Sequence, residues 1–186
     1  MAIICIRGGS LSAGHNVKTS YVDLLSHDGL LQTHTLINIS KLGDSSFEGV
    51  WQFDTVLLHK PDILILHFGI DDIYRPVYRS EFKENLVRMV QKARNASINN
   101  IILTTLHLVR NQYDMDAVDV FTRTVHEVAL DMNCLLATVH IEWINYLFET
   151  GKSLNTLLTA DDRYPNEKGH ALIAEAIKKK LVQLLS

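Results

Sequence analysis

A serine stands in the stretch Arg7-Gly8-Gly9-Ser10-Leu11-Ser12-Ala13-Gly14, directly after the apolar run Ala2 to Ile6. That run reads as a first β-strand, and in an open α/β sheet ligands bind at the carboxyl ends of the strands. Small residues at such a turn let backbone N–H groups approach a ligand closely. A serine there can offer its hydroxyl as nucleophile and its own N–H as half of an oxyanion hole. The same residue would serve equally well as the cap of a following helix, so Ser10 alone decides nothing. Two nucleotide-binding patterns fail at this loop. Gly9 and Gly14 have the spacing of phosphate-loop glycines, but His15-Asn16 occupies the place of the required Lys-[Ser/Thr], and the Gly-x-Gly-x-x-Gly fingerprint is absent.

The elements that must position Ser10 alternate along the whole chain. Strands are predicted over Ala2 to Ile6, Thr33 to Ile39, Ile63 to Phe68, Ile101 to Leu106 and Cys134 to Val139. Helices are predicted from about Asn16 to Ser26, Ser45 to Leu58, Ser80 onward, Ala117 to Met132, Glu142 to Glu149, and after Pro165 to the end. The third strand is apolar except for His67, as expected of a central strand covered on both faces. Strands separated by helices imply a parallel sheet with right-handed crossovers and helices on both sides. The expectation is an α/β, three-layer α/β/α domain spanning residues 1–186, with no linker or repeat to divide it.

With 47% hydrophobic and 21% charged residues, the chain has the composition of an ordinary soluble domain. A net charge of −3 argues against a nucleic-acid partner, and Lys178-Lys179-Lys180 falls on a helix face that reads as solvated. No apolar run reaches the length of a membrane span, and the N-terminal apolar run is too short for a signal-peptide core. The cytoplasm is the expected location, without a membrane partner. Cys5 and Cys134 sit in apolar runs and read as free thiols, and two cysteines make no metal motif. No cofactor is expected. Oligomeric state has no signature.

Three more places fall at predicted strand ends: Asn38-Ile39-Ser40-Lys41-Leu42-Gly43-Asp44-Ser45-Ser46, then Gly69-Ile70-Asp71-Asp72, and finally Asp161 to His170 ahead of the last helix. All can converge on one crevice. In these blocks the chain resembles the SGNH or GDSL-type esterases and lipases over nearly its full length. Gly8-Gly9-Ser10-Leu11 stands for Gly-Asp-Ser-Leu, and Asn38 with Gly43-Asp44-Ser45 for the second block. Gly69-Ile70-Asp71-Asp72 stands for Gly-x-Asn-Asp, and Asp161-Asp162-Arg163-Tyr164-Pro165-Asn166 for Asp-x-x-His-Pro-Asn. The resemblance implies a flavodoxin-like five-stranded parallel sheet of order 2-1-3-4-5. It also implies Ser10 as nucleophile, oxyanion donors at Ser10, Gly43 and position 71, and the catalytic Asp-His pair at 161 and 164.

Three positions depart from that pattern. Tyr164 replaces the general base, and a phenol with an ordinary pKa of roughly 10 is a poor proton acceptor at neutral pH. Loss of a triad member costs on the order of 10⁴- to 10⁶-fold. Asp71 replaces an amide donor with a group that, ionised, only accepts. Gly9 removes a carboxylate from the nucleophile loop. The residues so combined read as a degenerate site of weak, altered or absent activity. A base relocated to His15, His107 or His140 is one alternative, and Asp71 itself is another if burial raises its pKa. His67 and His170 read as core histidines. A metal site built from Asp71, Asp72, Asp161 and Asp162 with a histidine is the weaker reading, since Asp72 and Asp161 match the family's own acids and Asp162 falls near the N-terminus of the last helix. The implied ligand is a small acyl ester, including an acetylated carbohydrate. The alternatives are a pseudo-esterase that binds an ester- or sugar-like ligand and a scaffold protein.

Overall fold

The computed structural model describes residues 1–75 and 77–185; Pro76, in the stretch after Asp72, and the terminal Ser186 lie outside the described residues. Five parallel strands form one sheet: β1 (Ile3–Gly8), β2 (Thr35–Asn38), β3 (Ile63–His67), β4 (Asn100–Thr104) and β5 (Leu135–Ala137). Their order is β2-β1-β3-β4-β5, the flavodoxin-like arrangement. The helices are α1 (Tyr21–Ser26), α2 (Ser46–Trp51), α3 (Asp54–Leu58), α4 (Ile70–Tyr74), α5 (Arg79–Asn95), α6 (Gln112–Asp131), α7 (Val139–Thr150) and α8 (Glu167–Leu185).

Side-chain alternation divides the core into two layers. Cys5, Leu64, Leu66, Ile101 and Leu103 point into one cluster with Val56, Phe82, Met89, Phe121 and Val125, beneath α3, α5 and α6. Ile4, Ile6, Ile63, Ile65 and Ile102 point the other way, against Tyr21, Leu25, Trp143, Ile173 and Ile177 of α1, α7 and α8. β3 is buried at every position, as a strand flanked on both sides and both faces must be.

The structure differs from the expected elements in three places. The first helix begins at Tyr21 rather than near Asn16, because Ser20 and Asp23 form a reciprocal capping box and Asn16 takes a left-handed backbone (φ 60°). The expected helix over 45–58 is two helices. Gln52 ends α2, and Phe53, fully buried, turns the chain into α3. The segment after Gly69, to which no element was assigned, forms α4, whose first turn is closed by Asp72 accepting the Gly69 N–H at 3.0 Å. Among the described residues no helix is long and apolar enough to cross a membrane.

Candidate active site

β1 ends in a buried arginine. Arg7 is the only charged side chain in that strand, and its guanidinium donates to Asp44 at 2.6 Å and to the Glu48 carbonyl at 3.2 Å. It also donates to the carbonyls of Gly8 and Ile39, each at 3.3 Å. A charge removed from water must be paired and hydrogen-bonded, and this pairing ties β1 to the loop between β2 and α2. Gly8 and Gly9 follow because nothing larger fits. A Cβ on Gly8 would lie 2.4 Å from Ser12 Oγ, and one on Gly9 would lie 2.2 Å from both the Asp44 carbonyl and Asp71 Oδ2.

Ser10 sits in the space so made, nearly covered at 3% exposure. Its hydroxyl donates to Asp71 Oδ1 at 2.5 Å and accepts the Gly43 N–H at 2.9 Å. Its backbone N–H donates to Asp71 Oδ2 at 2.8 Å. Gly43 takes a positive φ of 77°, which a glycine adopts without strain. One carboxylate therefore grips both functional groups of Ser10, and it can do so only because Gly9 has no Cβ in its path. Burial raises the Asp71 pKa, while its bonds from Ser10 and the nearby Arg75 and His15 oppose that rise.

The neighbouring acid has a different task. Asp72 accepts the Ser46 N–H at 2.9 Å and hydroxyl at 2.6 Å, and Asn85 in turn donates to the Ser46 hydroxyl at 3.0 Å. Burial lifts its pKa to about 6, against the bonds from Ser46. It braces α2, α4 and α5 against one another.

Asp161 and Tyr164 come to the same place. Asp161 Oδ1 accepts the Thr159 hydroxyl at 2.7 Å and the N–H groups of Arg163 and Tyr164 at 3.0 and 3.1 Å. Burial pushes its pKa up, but these donors together hold it below the usual carboxylate value. Tyr164 is half-buried. Desolvation and then the Asp71 charge raise its pKa, and the adjoining Ser10 hydroxyl works the other way. The His15 ring packs edge-on against Tyr164 with centroids 4.6 Å apart, within electrostatic reach of Asp71 and Asp161. Ser10, Gly43, Asp71, Tyr164, Asp161 and His15 thus lie together beyond the carboxyl ends of the strands.

Two of the alternative bases are elsewhere. His107 is fully buried and donates Nε2–H to the Arg163 carbonyl at 2.7 Å, behind the crevice rather than in it. His140 starts α7, faces Thr105 at 2.8 Å and packs on His126 of α6. Neither bonds Ser10: His107 is held by the Arg163 carbonyl and His140 by the Thr105 hydroxyl. Nor is the acidic cluster a hard-cation site. Asp72 spends both oxygens on Ser46 and Gly69, and Asp162 pairs with Arg110 at 3.2 Å. Among the described residues, no three His, Cys, Asp or Glu side chains are arranged to hold a metal ion. The arginine-to-Asp44 clamp and the Asp72–Ser46–Asn85 brace were not anticipated. An arginine inside an apolar strand was the available signal for the first.

A strand-end serine at the edge of a sheet ordered 2-1-3-4-5, with a glycine amide aimed at its oxygen, defines an SGNH-type hydrolase fold. The chain belongs to the GDSL-like lipase/acylhydrolase family, which it matches over residues 7–172. Among solved structures it is similar to a catalytic mutant of an acetylxylan esterase from Geobacillus stearothermophilus. The two share 20% identity with a TM-score of 0.85, covering 97% of this chain and 94% of that one. It is also similar to LAE5, an α/β hydrolase enzyme from the metagenome of Lake Arreo, Spain (23% identity, TM-score 0.81, 100% and 97% covered). A third similar structure is TesA (24% identity, TM-score 0.80, 98% and 99% covered). At these identities the likeness shows the fold. Comparison with curated protein sequences finds no match.

Proposed function

We propose that the chain is a slow serine esterase for small acyl esters, in which Asp71 rather than an imidazole takes the proton of Ser10. The observation that carries the reading is the 2.5 Å hydrogen bond from Ser10 Oγ to Asp71 Oδ1, with the Gly43 N–H on the same oxygen. A proton acceptor must lie within hydrogen-bond reach of the proton it removes. Ser10 Oγ attacks the acyl carbon as its proton passes to Asp71 Oδ1. The Gly43 N–H stabilises the oxygen on which charge develops. The Ser10 N–H joins it once Asp71 is neutral and lets go. The leaving alkoxide takes the proton from Asp71; water then attacks the acyl-serine as its proton passes to Asp71, and Asp71 returns that proton to Ser10 Oγ as the carboxylic acid leaves.

The reading also accounts for slowness. Until Asp71 is protonated it holds negative charge where an oxyanion must form, and the absence of one donor alone costs about 10²- to 10³-fold. The near-complete cover over Ser10 favours a small acyl group. An acetylated carbohydrate is the substrate class we assign, in keeping with the acetylxylan esterase among its structural relatives. The net charge of −3 speaks against nucleic acid, and two unpaired thiols, Cys5 and Cys134, fit the reducing cytoplasm.

The test is hydrolysis of p-nitrophenyl acetate and of acetylated xylo-oligosaccharides by the wild type, Ser10→Ala and Asp71→Ala. A slow rate lost in both variants, and lost on acidification as Asp71 takes up a proton, is expected. A rate that survives Asp71→Ala moves the base to His15. No Ser10-dependent rate at all would leave the binding role, which the double grip of Asp71 on Ser10 favours.

A further inference from the structure

Behind the crevice, on the α1–α7–α8 side of the sheet, lies a group of buried rings that the esterase reading does not use. His107 is fully buried, and its Nε2 faces a carbonyl, Arg163 O, at 2.7 Å. A carbonyl only accepts, so Nε2 carries the hydrogen and Nδ1 is a bare lone pair. His170 of α8 is also fully buried, and its Nδ1 accepts the Tyr21 N–H at 3.1 Å. Its hydrogen is therefore on Nε2. Both rings are neutral at pH 7, because burial pulls each pKa from 6.5 down to about 4. Trp143 of α7, fully buried, offers an indole N–H. His67 presents Nδ1 to the Tyr21 hydroxyl at 3.3 Å, and that hydroxyl lies 2.6 Å from Ser12 Oγ.

His107 Nδ1, His170 Nε2, Trp143 Nε1 and His67 Nε2 have no hydrogen-bond partner among the described residues. They are neighbours. The His107 and Trp143 rings are 5.2 Å apart, and Tyr21 packs on His67 at 5.4 Å and on His170 at 6.0 Å. A Cβ on Gly169, next to His170, would lie 2.8 Å from the Trp143 indole. The charge of His107, were it protonated, would be felt at both His67 and His170. Buried polar atoms in native proteins are satisfied by protein or by ordered water. Leaving several unmade in one spot would consume much of an ordinary folding stability.

We propose that this cluster is a binding site for one buried water molecule. Its oxygen accepts from His170 Nε2–H and Trp143 Nε1–H, and one of its hydrogens goes to His107 Nδ1. Two inward N–H donors exclude a cation, and a single bare acceptor beside them suits a molecule that both donates and accepts. Such a water has the two to four partners that a buried water requires. It links α7 and α8 to the segment after β4, and through the Arg163 carbonyl to the turn that carries Asp161 and Tyr164. Tyr21 and Ser12 extend the network to the nucleophile loop. The site thus holds the two halves of the crevice in register, whether or not Ser10 is catalytic.

A high-resolution crystal structure and water oxygen-17 relaxation dispersion of the wild type test it without a variant. The expected result is a solvent peak within hydrogen-bond distance of His107 Nδ1 and of an N–H donor, with a long-lived internal water in solution. Trp143→Phe keeps the ring, removes one donor and should lose that long-lived water. Nitrogen-15 shifts should place the His107 hydrogen on Nε2. The proposal is overturned if the spot is dry in the wild type, if the rings pair directly with one another, or if His107 carries its hydrogen on Nδ1. It is equally overturned if a folded Trp143→Phe protein keeps its internal-water signal unchanged.

Discussion

Replacing Asp71 by Asn and Tyr164 by His together should turn this protein into a clearly faster esterase. Asp71 now accepts both the hydroxyl and the N–H of Ser10. An amide has one oxygen and one NH₂, so it can hold only one of those bonds and must present a donor on the other side. The substitution also removes negative charge from where the oxyanion grows. Restoring one such donor is worth about 10²- to 10³-fold. At position 164 an imidazole would follow Asp161, whose Oδ1 already accepts three bonds, leaving Oδ2 to orient the ring. A general base accounts for about 10⁴-fold at the low end of measured losses. Gly9 leaves the nucleophile loop without the family's acid, and a misplacement of about 1 Å costs roughly 10²-fold. Taking the low figures, the double variant should stand about 10⁴-fold above a site with neither base nor that oxyanion donor. Members of one catalytic unit are not additive: Asp71→Asn alone removes the group that takes the Ser10 proton and should lose the slow rate, and Tyr164→His alone should give only a small part of the gain. The assay is p-nitrophenyl acetate hydrolysis by folded protein, with Ser10→Ala introduced into the same double variant as its blank. If the double variant and its blank hydrolyse the ester equally, the reasoning fails: the crevice would then differ from an esterase site in more than these side chains.

Two further outcomes follow from the packing and from the buried histidines. Gly9→Ala should destabilise the fold by at least about 1–3 kcal/mol, because its Cβ would stand 2.2 Å from the Asp44 carbonyl and from Asp71 Oδ2. Adding Asp71→Ala relieves only the second clash, so urea denaturation should show partial, not full, recovery; an unshifted Gly9→Ala midpoint would contradict the contact. Stability should also fall on acidification below pH 6.5. Burial lowers the pKa of His67 from 6.5 to about 3 and those of His107 and His170 to about 4. The unfolded chain therefore takes up protons first as pH drops from 6.5 towards 4, and each histidine removes up to about 1.4 kcal/mol per pH unit there. Asp72, raised by burial to about 6, works in the opposite sense, since the folded protein takes up that proton first. Asp71, whose pKa burial also raises, acts in the same sense as Asp72; three groups against two still leave a net loss, so the urea midpoint at pH 5 should lie below that at pH 7, and an equal or higher midpoint would refute the assignment.

The five alternating strands were legible in the chain because their signals are local, while their order was implied by the resemblance to the SGNH esterases. Apolar runs such as Ile63 to Leu66 betray a doubly covered strand, and the blocks at Ser10, Gly43, Asp71 and Asp161 each follow a strand or open a helix. Element ends were less legible, since the Ser20–Asp23 capping box and the buried turn at Phe53 override a periodic pattern. Asp71 was one candidate base in the sequence, but which groups it bonds could not be read without tertiary structure. It meets Ser10 across 61 residues, through a gap that exists because Gly9, on another strand end, lacks a side chain. The same holds for Arg7, whose partner Asp44 is 37 residues away, and for His107 and His140, which share strand-end positions with the site residues yet face away from Ser10. Periodicity decides which face of an element is apolar; only the packed fold decides which two polar atoms meet, because that depends on volumes contributed by distant parts of the chain.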